Sequence, residues 1–356
     1  METDRQPATD PGMKRVSMFP DEIYPPSAGF AAGLKLLNRL GIEHIDLRIV
    51  NGHQNVINAS DEDLATAKRL LAEHRIKPAG LTTPIFKCPL RGSHGPAWGD
   101  HHNVPTNGNY AQHLDLLPRA FALAELFGTP NIRCLGFWRE YALDEVFAEV
   151  VDKIGRAAEI ARAAGHTLYL KNEHNCIVGT GVELARVIRA VNLPNLVAIY
   201  DDGNTGRIGG DVVADYVALR GLIKHINLKH RRLDVMCGWM SACRKFADQR
   251  SDYRPYYLWK QPDGPFRAQI NYGGKVFDLQ TQRTTEALRH TIVDQTRWLL
   301  QQLHADGYEG LITVENAWDG INGRLPPAEL EAAIVAGMRP FAEVMEEIWA
   351  VPAPRV

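Results

Sequence analysis

Four side chains able to hold a hard cation or to move a proton stand at the ends of apolar, β-branched runs in the second half of the chain. They are Glu173 in Lys171-Asn172-Glu173-His174-Asn175, Asp201 in Tyr200-Asp201-Asp202-Gly203-Asn204, Asn227 in His225-Ile226-Asn227-Leu228-Lys229-His230, and Glu315 in Thr313-Val314-Glu315-Asn316. A carboxylate at the end of an apolar strand is costly to bury unless it is paired or bound to a metal, and several converging on one axis repel without a cation. A divalent ion resolves both problems. An oxygen-rich set of Glu173, Asp201, Asn227 and Glu315 favours Mn²⁺ first, with Mg²⁺, Co²⁺ or Zn²⁺ as alternatives. Taken singly, each of these residues is as often an ion-pair or capping group as a ligand; the metal reading rests on their joint occurrence.

Proton transfer has its own candidates. Glu173 and Glu315 can serve as bases, and His174 brings an imidazole that titrates near neutrality. If the strand stays regular through His174, alternation turns that ring away from the axis Glu173 faces. Lys229 shares parity with His225 and Asn227, which suits it to stabilise an enolate oxygen or to pair with a carboxylate. Asn204, Trp239, Trp259 and His102 are candidate substrate contacts, while His101 beside His102 reads as a polar loop residue.

The elements that must position these groups follow from patterning. Candidate strands cover Arg15 to Phe19, Ile42 to Leu47, Lys77 to Leu81, Asn131 to Phe137, Thr167 to Glu173, Leu196 to Asp201, Leu222 to Lys229 and Gly310 to Glu315, eight in all. Helical periodicity lies between them, as in Leu143, Val146, Phe147, Val150 and Ile154, and in Val182, Leu184, Val187 and Ile188. Ser60 before Asp61, Thr180 with Glu183, and Gly128, Gly165 and Gly307 mark helix ends. Strands alternating with helices from end to end predict parallel βαβ units, and eight of them predict a single (β/α)8 TIM barrel. A doubly wound sheet would carry a Gly-rich turn after its first strand, where this chain has Pro20-Asp21-Glu22. Residues 14–350 are assigned to the barrel and 1–13 to a disordered tail. The long connections after strands three and seven, Lys87 to Asn109 and His230 to Asp278, carry Trp98, Trp239, Tyr253, Tyr256, Tyr257 and Trp259. The second (230–278) is expected to be a lid, with a subunit contact as the alternative.

Composition narrows the class. With 356 residues, 45% of them hydrophobic, the chain can bury a large core. A formal charge of -2 and no basic run beyond Lys229-His230-Arg231-Arg232 argue against nucleic acid. No stretch is long and apolar enough to span a membrane. Five cysteines at irregular spacing do not form a disulfide framework, so free thiols and a cytoplasmic setting are expected.

On these motifs the chain resembles the xylose-isomerase-like TIM-barrel superfamily, the sugar phosphate isomerase/epimerase group, from Lys14 to Ile348. Glu173, Asp201 with Asn204, and Glu315 fit the family pattern, and Gly273-Gly274-Lys275-Val276-Phe277-Asp278 resembles its glycine-rich return. Asn227 stands where the family's metal-binding His is usual, and His230 where its Asp is. The resemblance implies a divalent-metal-dependent enzyme that abstracts a proton next to a carbonyl of a sugar or keto-glycoside, isomerase- or epimerase-like. The chain is also similar to C-glycoside deglycosidases, lyases that release an aglycone from a 3-oxo-glucoside by elimination; large aromatic loops and the lack of an evident Arg/Lys phosphate site point that way. A non-catalytic sugar-binding barrel is the alternative of another class. A barrel endonuclease would need more His ligands and a basic groove. A small carbohydrate or glycoside is the expected partner, in a homo-oligomer with or without a small second subunit.

Overall fold

The computed structural model describes residues 13–23, 29–51, 54–92, 108–208, 210–230, 258–259, 267–272, 275–278, 296–316, 334, 338 and 341–350. Eight parallel strands close into a barrel: β1 (Val16–Met18), β2 (His44–Leu47), β3 (Lys77–Ile85), β4 (Asn131–Cys134), β5 (Thr167–Lys171), β6 (Leu196–Asp201), β7 (Ile223–His230) and β8 (Ile312–Asn316). Each pairs with its neighbours in sequence, and β1 closes the ring on β8 with Val16 opposite Ile312 and Met18 opposite Val314. This is the expected (β/α)8 architecture.

Helices, from α1 (Phe30–Arg39) through the short α3 (Tyr110–Leu114) to those that follow, cover the strands because their apolar stripes have nowhere else to go. In α5 (Leu143–Ala163), Leu143, Val146, Val150 and Ile154 are buried at helical spacing. In α6 (Gly181–Val191), Leu184, Val187 and Ile188 face the core, whereas Val182 is exposed. The caps are where the sequence puts them. Ser60 Oγ accepts from the Asp63 N–H at the start of α2 (Asp61–His74), and Thr180 and Glu183 form a capping box on α6. Gly128 ends α4 (Leu117–Phe127) in the left-handed region, with φ 66°.

Two details bear on the site. Strand β5 ends at Lys171, two residues before the Glu173 expected from sequence. Phe86 and Phe137, just beyond β3 and β4, both have φ 63°, a left-handed conformation that costs a bulky residue energy and is kept where neighbours enforce it. Here the Phe137 N–H donates to Phe86 O, and the Phe86 N–H donates to His113 Nδ1. These bends set Lys87 and Trp138, the next residue in each case, with the Lys87 ammonium 5.3 Å from the Trp138 ring centre.

Beyond β7, Leu258–Trp259, Arg267–Tyr272 and Lys275–Asp278 form a three-stranded antiparallel sheet. The expected tail (1–13), apart from its last residue, lies outside the described residues, as do His101, His102, Trp98, Trp239, Tyr253, Tyr256 and Tyr257. The side chains of Lys229, His230 and Trp259 lie outside them too. Cys88, Cys134 and Cys176 are buried free thiols. Burial pushes Cys88 and Cys134 up to about 12, which marks them as inert core residues. Among the described residues no helix is long and apolar enough to cross a membrane.

Candidate active site

Parallel strands in a barrel deliver their C-terminal ends to one mouth, and alternate residues on each strand face the interior. The register brings Asp201 on β6 opposite Asn227 on β7, and Asn227 opposite Thr313 on β8, two residues before Glu315. Asp201, Asn227 and Glu315 therefore meet at one end of the barrel.

At their centre is a residue the sequence reading passed over. The Lys171 ammonium, only 1% exposed, lies 2.9 Å from Asp201 Oδ2 and 3.2 Å from Glu315 Oε2. Burial alone would lower its pKa, but Asp201, Glu315 and Glu173 together raise it above the ordinary lysine value, so the ion stays charged. It could have been found: Lys171 has the same strand parity as Glu173 and closes the run Thr167-Leu168-Tyr169-Leu170, so its side chain had to enter the mouth or the core.

The carboxylates are held from several sides. Asn204, in α7 (Asp202–Arg207) directly after β6, donates its amide to Asp201 Oδ2 at 3.0 Å, to Glu173 Oε2 at 3.1 Å and to Asn172 O at 3.0 Å. Its backbone N–H donates to Asp201 Oδ1 at 2.8 Å. Asn227 Nδ2 reaches Glu315 Oε2 at 3.5 Å, while Asn227 Oδ1 is buried with no hydrogen-bond partner. That lone acceptor is an uncommon feature in a folded interior and fits a substrate donor.

Glu173 and His174 sit in the turn after β5, so strand alternation does not govern them. The His174 ring is not turned away from the cluster as regular parity would require: its Nδ1 is 2.7 Å from Glu173 Oε1 and 3.2 Å from Asn204 Oδ1. Burial favours protonation of Glu173, yet Lys87, the hydrogen bond with His174 and Lys171 hold its carboxyl well below the usual range. Glu173, His174 and Glu315 keep 11%, 18% and 14% of their side-chain surface exposed, whereas Asp201 is fully buried. A small molecule can thus touch the first three and not the last.

One layer deeper, Asp46 on β2 gathers the barrel interior. It accepts from Ser17 Oγ at 2.8 Å, from Thr313 Oγ1 and from Thr82 Oγ1 at 3.4 Å, and His225 Nε2 lies 3.6 Å away. Burial pushes its pKa up, but His225 with the Thr313 and Ser17 hydroxyls brings it below the ordinary value. His225 is also 2.6 Å from Thr313 Oγ1. This polar floor carries β7 and β8, the strands that present Asn227 and Glu315.

The oxygen set expected to ligate a divalent ion is gathered here around a buried lysine, with Asn227 Oδ1 left without a hydrogen-bond partner. Asp201 Oδ2 and Glu315 Oε2 share Lys171, and Glu173 is taken up by His174 and Asn204. Among the described residues, no group of three His, Cys, Asp or Glu side chains is arranged to hold a metal ion. Lys171, which ends the strand on which Glu173 was placed, joins Asp201 and Glu315 of the expected set.

The profile of the xylose isomerase-like TIM barrel matches residues 34–249, and the chain belongs to that family. No curated protein sequence matches it. Among solved structures it is similar to a D-psicose 3-epimerase determined with D-fructose, with TM-score 0.57 and 13% identity over 93% of this chain and 99% of that one. It is similar to the IOLI protein with a bound zinc atom, with TM-score 0.58 and 13% identity over 94% and 99% of the two chains. A third is a xylose isomerase-like TIM barrel protein from Mycobacterium smegmatis in complex with magnesium, with TM-score 0.53 and 13% identity over 93% and 97%. At these identities the likeness shows a shared fold.

Proposed function

We propose that the chain is an enzyme that removes a proton next to a carbonyl of a sugar or keto-glycoside and returns it in an isomerase- or epimerase-like reaction. The observation that carries this reading is the pair of partly exposed carboxylates, Glu173 and Glu315, that both act electrostatically on the buried Lys171 ammonium, Glu315 at 3.2 Å from it. A base takes the proton from the carbon beside the carbonyl, and the electron pair moves onto the carbonyl oxygen as an enolate. Return of a proton to the opposite face inverts that carbon; return to the former carbonyl carbon isomerises the sugar. Glu173, kept ionised by Lys87 and Lys171, suits the first role and, once it holds the proton, can return it to the former carbonyl carbon; inversion needs Glu315 in its protonated form on the opposite face. The Asn227 amide and the positive charge of Lys171 favour an enolate formed beside them, and Lys229 is kept as a further stabilising group. Asn204 orients Glu173 and Asp201; Trp239, Trp259 and His102 are kept as substrate contacts. The family and the epimerase among its structural neighbours agree with sugar chemistry of this kind.

Elimination is the second reading, favoured by the contact of His174 with Glu173. An imidazole oriented by a carboxylate can hand a proton to a departing aglycone after the enolate forms, which would make the enzyme a lyase on 3-oxo-glucosides. A panel of keto-sugars and 3-oxo-glycosides incubated in D₂O separates the readings. Deuterium at the carbon beside the carbonyl supports enolisation, free aglycone supports elimination, and neither from any member sinks both.

A further inference from the structure

Lys171 has a consequence for the cation of the site. A divalent ion bound by Asp201 and Glu315 needs to lie about 2.0–2.6 Å from an oxygen of each. The oxygens that face one another across the cluster, Asp201 Oδ2 and Glu315 Oε2, already have the Lys171 ammonium between them at 2.9 and 3.2 Å. An ion bridging those oxygens would be brought against a positive group, and repulsion between cations that close in a buried place is severe. The ammonium has no easy retreat, since the residue is 1% exposed and anchored at the end of β5. The remaining donors are arranged to match. Asn227 contributes a neutral amide, and Asp201 Oδ1 is used by the Asn204 N–H. Two of the three carboxylates, Asp201 and Glu315, are within ion-pair distance of the one buried ammonium.

We infer that Lys171 is the resident cation of this site: its ammonium holds the place between Asp201 and Glu315 that a divalent ion would take, and the site takes up no divalent metal. This rests on the enolisation reading for the reaction it serves, but not for its test. The ammonium supplies fixed positive charge beside the developing enolate, a role a Lewis acid would otherwise fill, and it binds the two strand-end carboxylates into one unit.

The experiment uses the purified full chain, as isolated and after dialysis against chelator. Metal content is measured by elemental analysis, and Mn²⁺ binding is followed by calorimetry and by thermal shift. The expected result is substoichiometric metal as isolated and no saturable Mn²⁺ binding to about 1 mM. Lys171→Ala, which removes the ammonium and leaves room for an ion, should bind Mn²⁺ at least about tenfold more tightly and gain a saturable rise in Tm. Lys171→Gln gives the same comparison if the alanine variant does not fold. Stoichiometric Mn²⁺ on the wild-type chain, lost in Asp201→Asn, overturns the inference, as does equal affinity in wild type and Lys171→Ala. A metal-free protein that exchanges no substrate proton sinks the proposed reaction and leaves Lys171 as the resident cation. A metal-loaded protein that exchanges one does the reverse.

Discussion

Replacing Lys171 with methionine removes one charge from the barrel while keeping an unbranched side chain of similar length. In the wild-type protein Asp201, fully buried, and Glu315, 14% exposed, share that ammonium at 2.9 and 3.2 Å. Without it two carboxylates face each other in a place that water barely reaches. Removing one partner of a buried ion pair costs about 3–5 kcal/mol, chiefly because the other charge is left uncompensated. An unfolding entropy of about 2.1 cal/mol/K per residue gives about 0.75 kcal/mol/K over 356 residues, so Tm should fall by about 4–7 °C at pH 7. The loss also has a sign in pH. Lys171 is raised above its ordinary value, so its contribution is complete below the ordinary lysine pKa and declines only as pH climbs through the higher folded value. The deficit of Lys171→Met should therefore be flat from neutrality to about pH 9. Calorimetry on wild type, Lys171→Met, Asp201→Asn and the double variant measures the coupling, expected at about 2 kcal/mol or more. A Tm within about 1 °C of wild type, or additive losses, would refute the idea that this ammonium balances the cluster.

Three further outcomes follow from the same geometry. His174→Ala should lower turnover about 10²–10⁴-fold while shifting Tm by no more than about 2 °C, since the ring touches Glu173 and is partly exposed; steady-state kinetics beside a melt checks this. Asn204→Ala removes the amide that ties Glu173 to Asp201 and should cost about 1–3 kcal/mol by denaturant titration. Asp46 is held below its ordinary pKa in the fold, so it stabilises above the usual carboxylate range and its contribution is lost as pH falls through the folded value; the Tm of Asp46→Asn should decline less steeply than wild type below about pH 4.

The barrel was legible because its signals are local and repeated. Apolar runs of strand length alternate with helices whose caps, such as Ser60 and Thr180, are written in a few residues. The positions of Asp201, Asn227 and Glu315 followed from strand ends. Lys171 did not, for a physical reason. Whether a strand stops at residue 171 or 173 depends on pairing with β4 and β6, and β5 pairs with β6 no further than Lys171 opposite Ile199. That shift of two residues put a lysine at the strand end expected for a carboxylate, and released His174 from strand alternation into contact with Glu173. Lys87 was hidden for another reason: it is carried by Phe86, whose left-handed backbone is imposed by contacts with His113 and Phe137 far along the chain.

Deuterium incorporation, followed by proton NMR for metal-free enzyme with keto-sugars and 3-oxo-glycosides in D₂O, tests the central claim most directly. Wild type should exchange the hydrogen beside the carbonyl of at least one member, and Glu173→Gln and Glu315→Gln should each slow that exchange at least about 100-fold with the fold intact. Exchange that is absent across the panel, or unchanged in both variants, would contradict it.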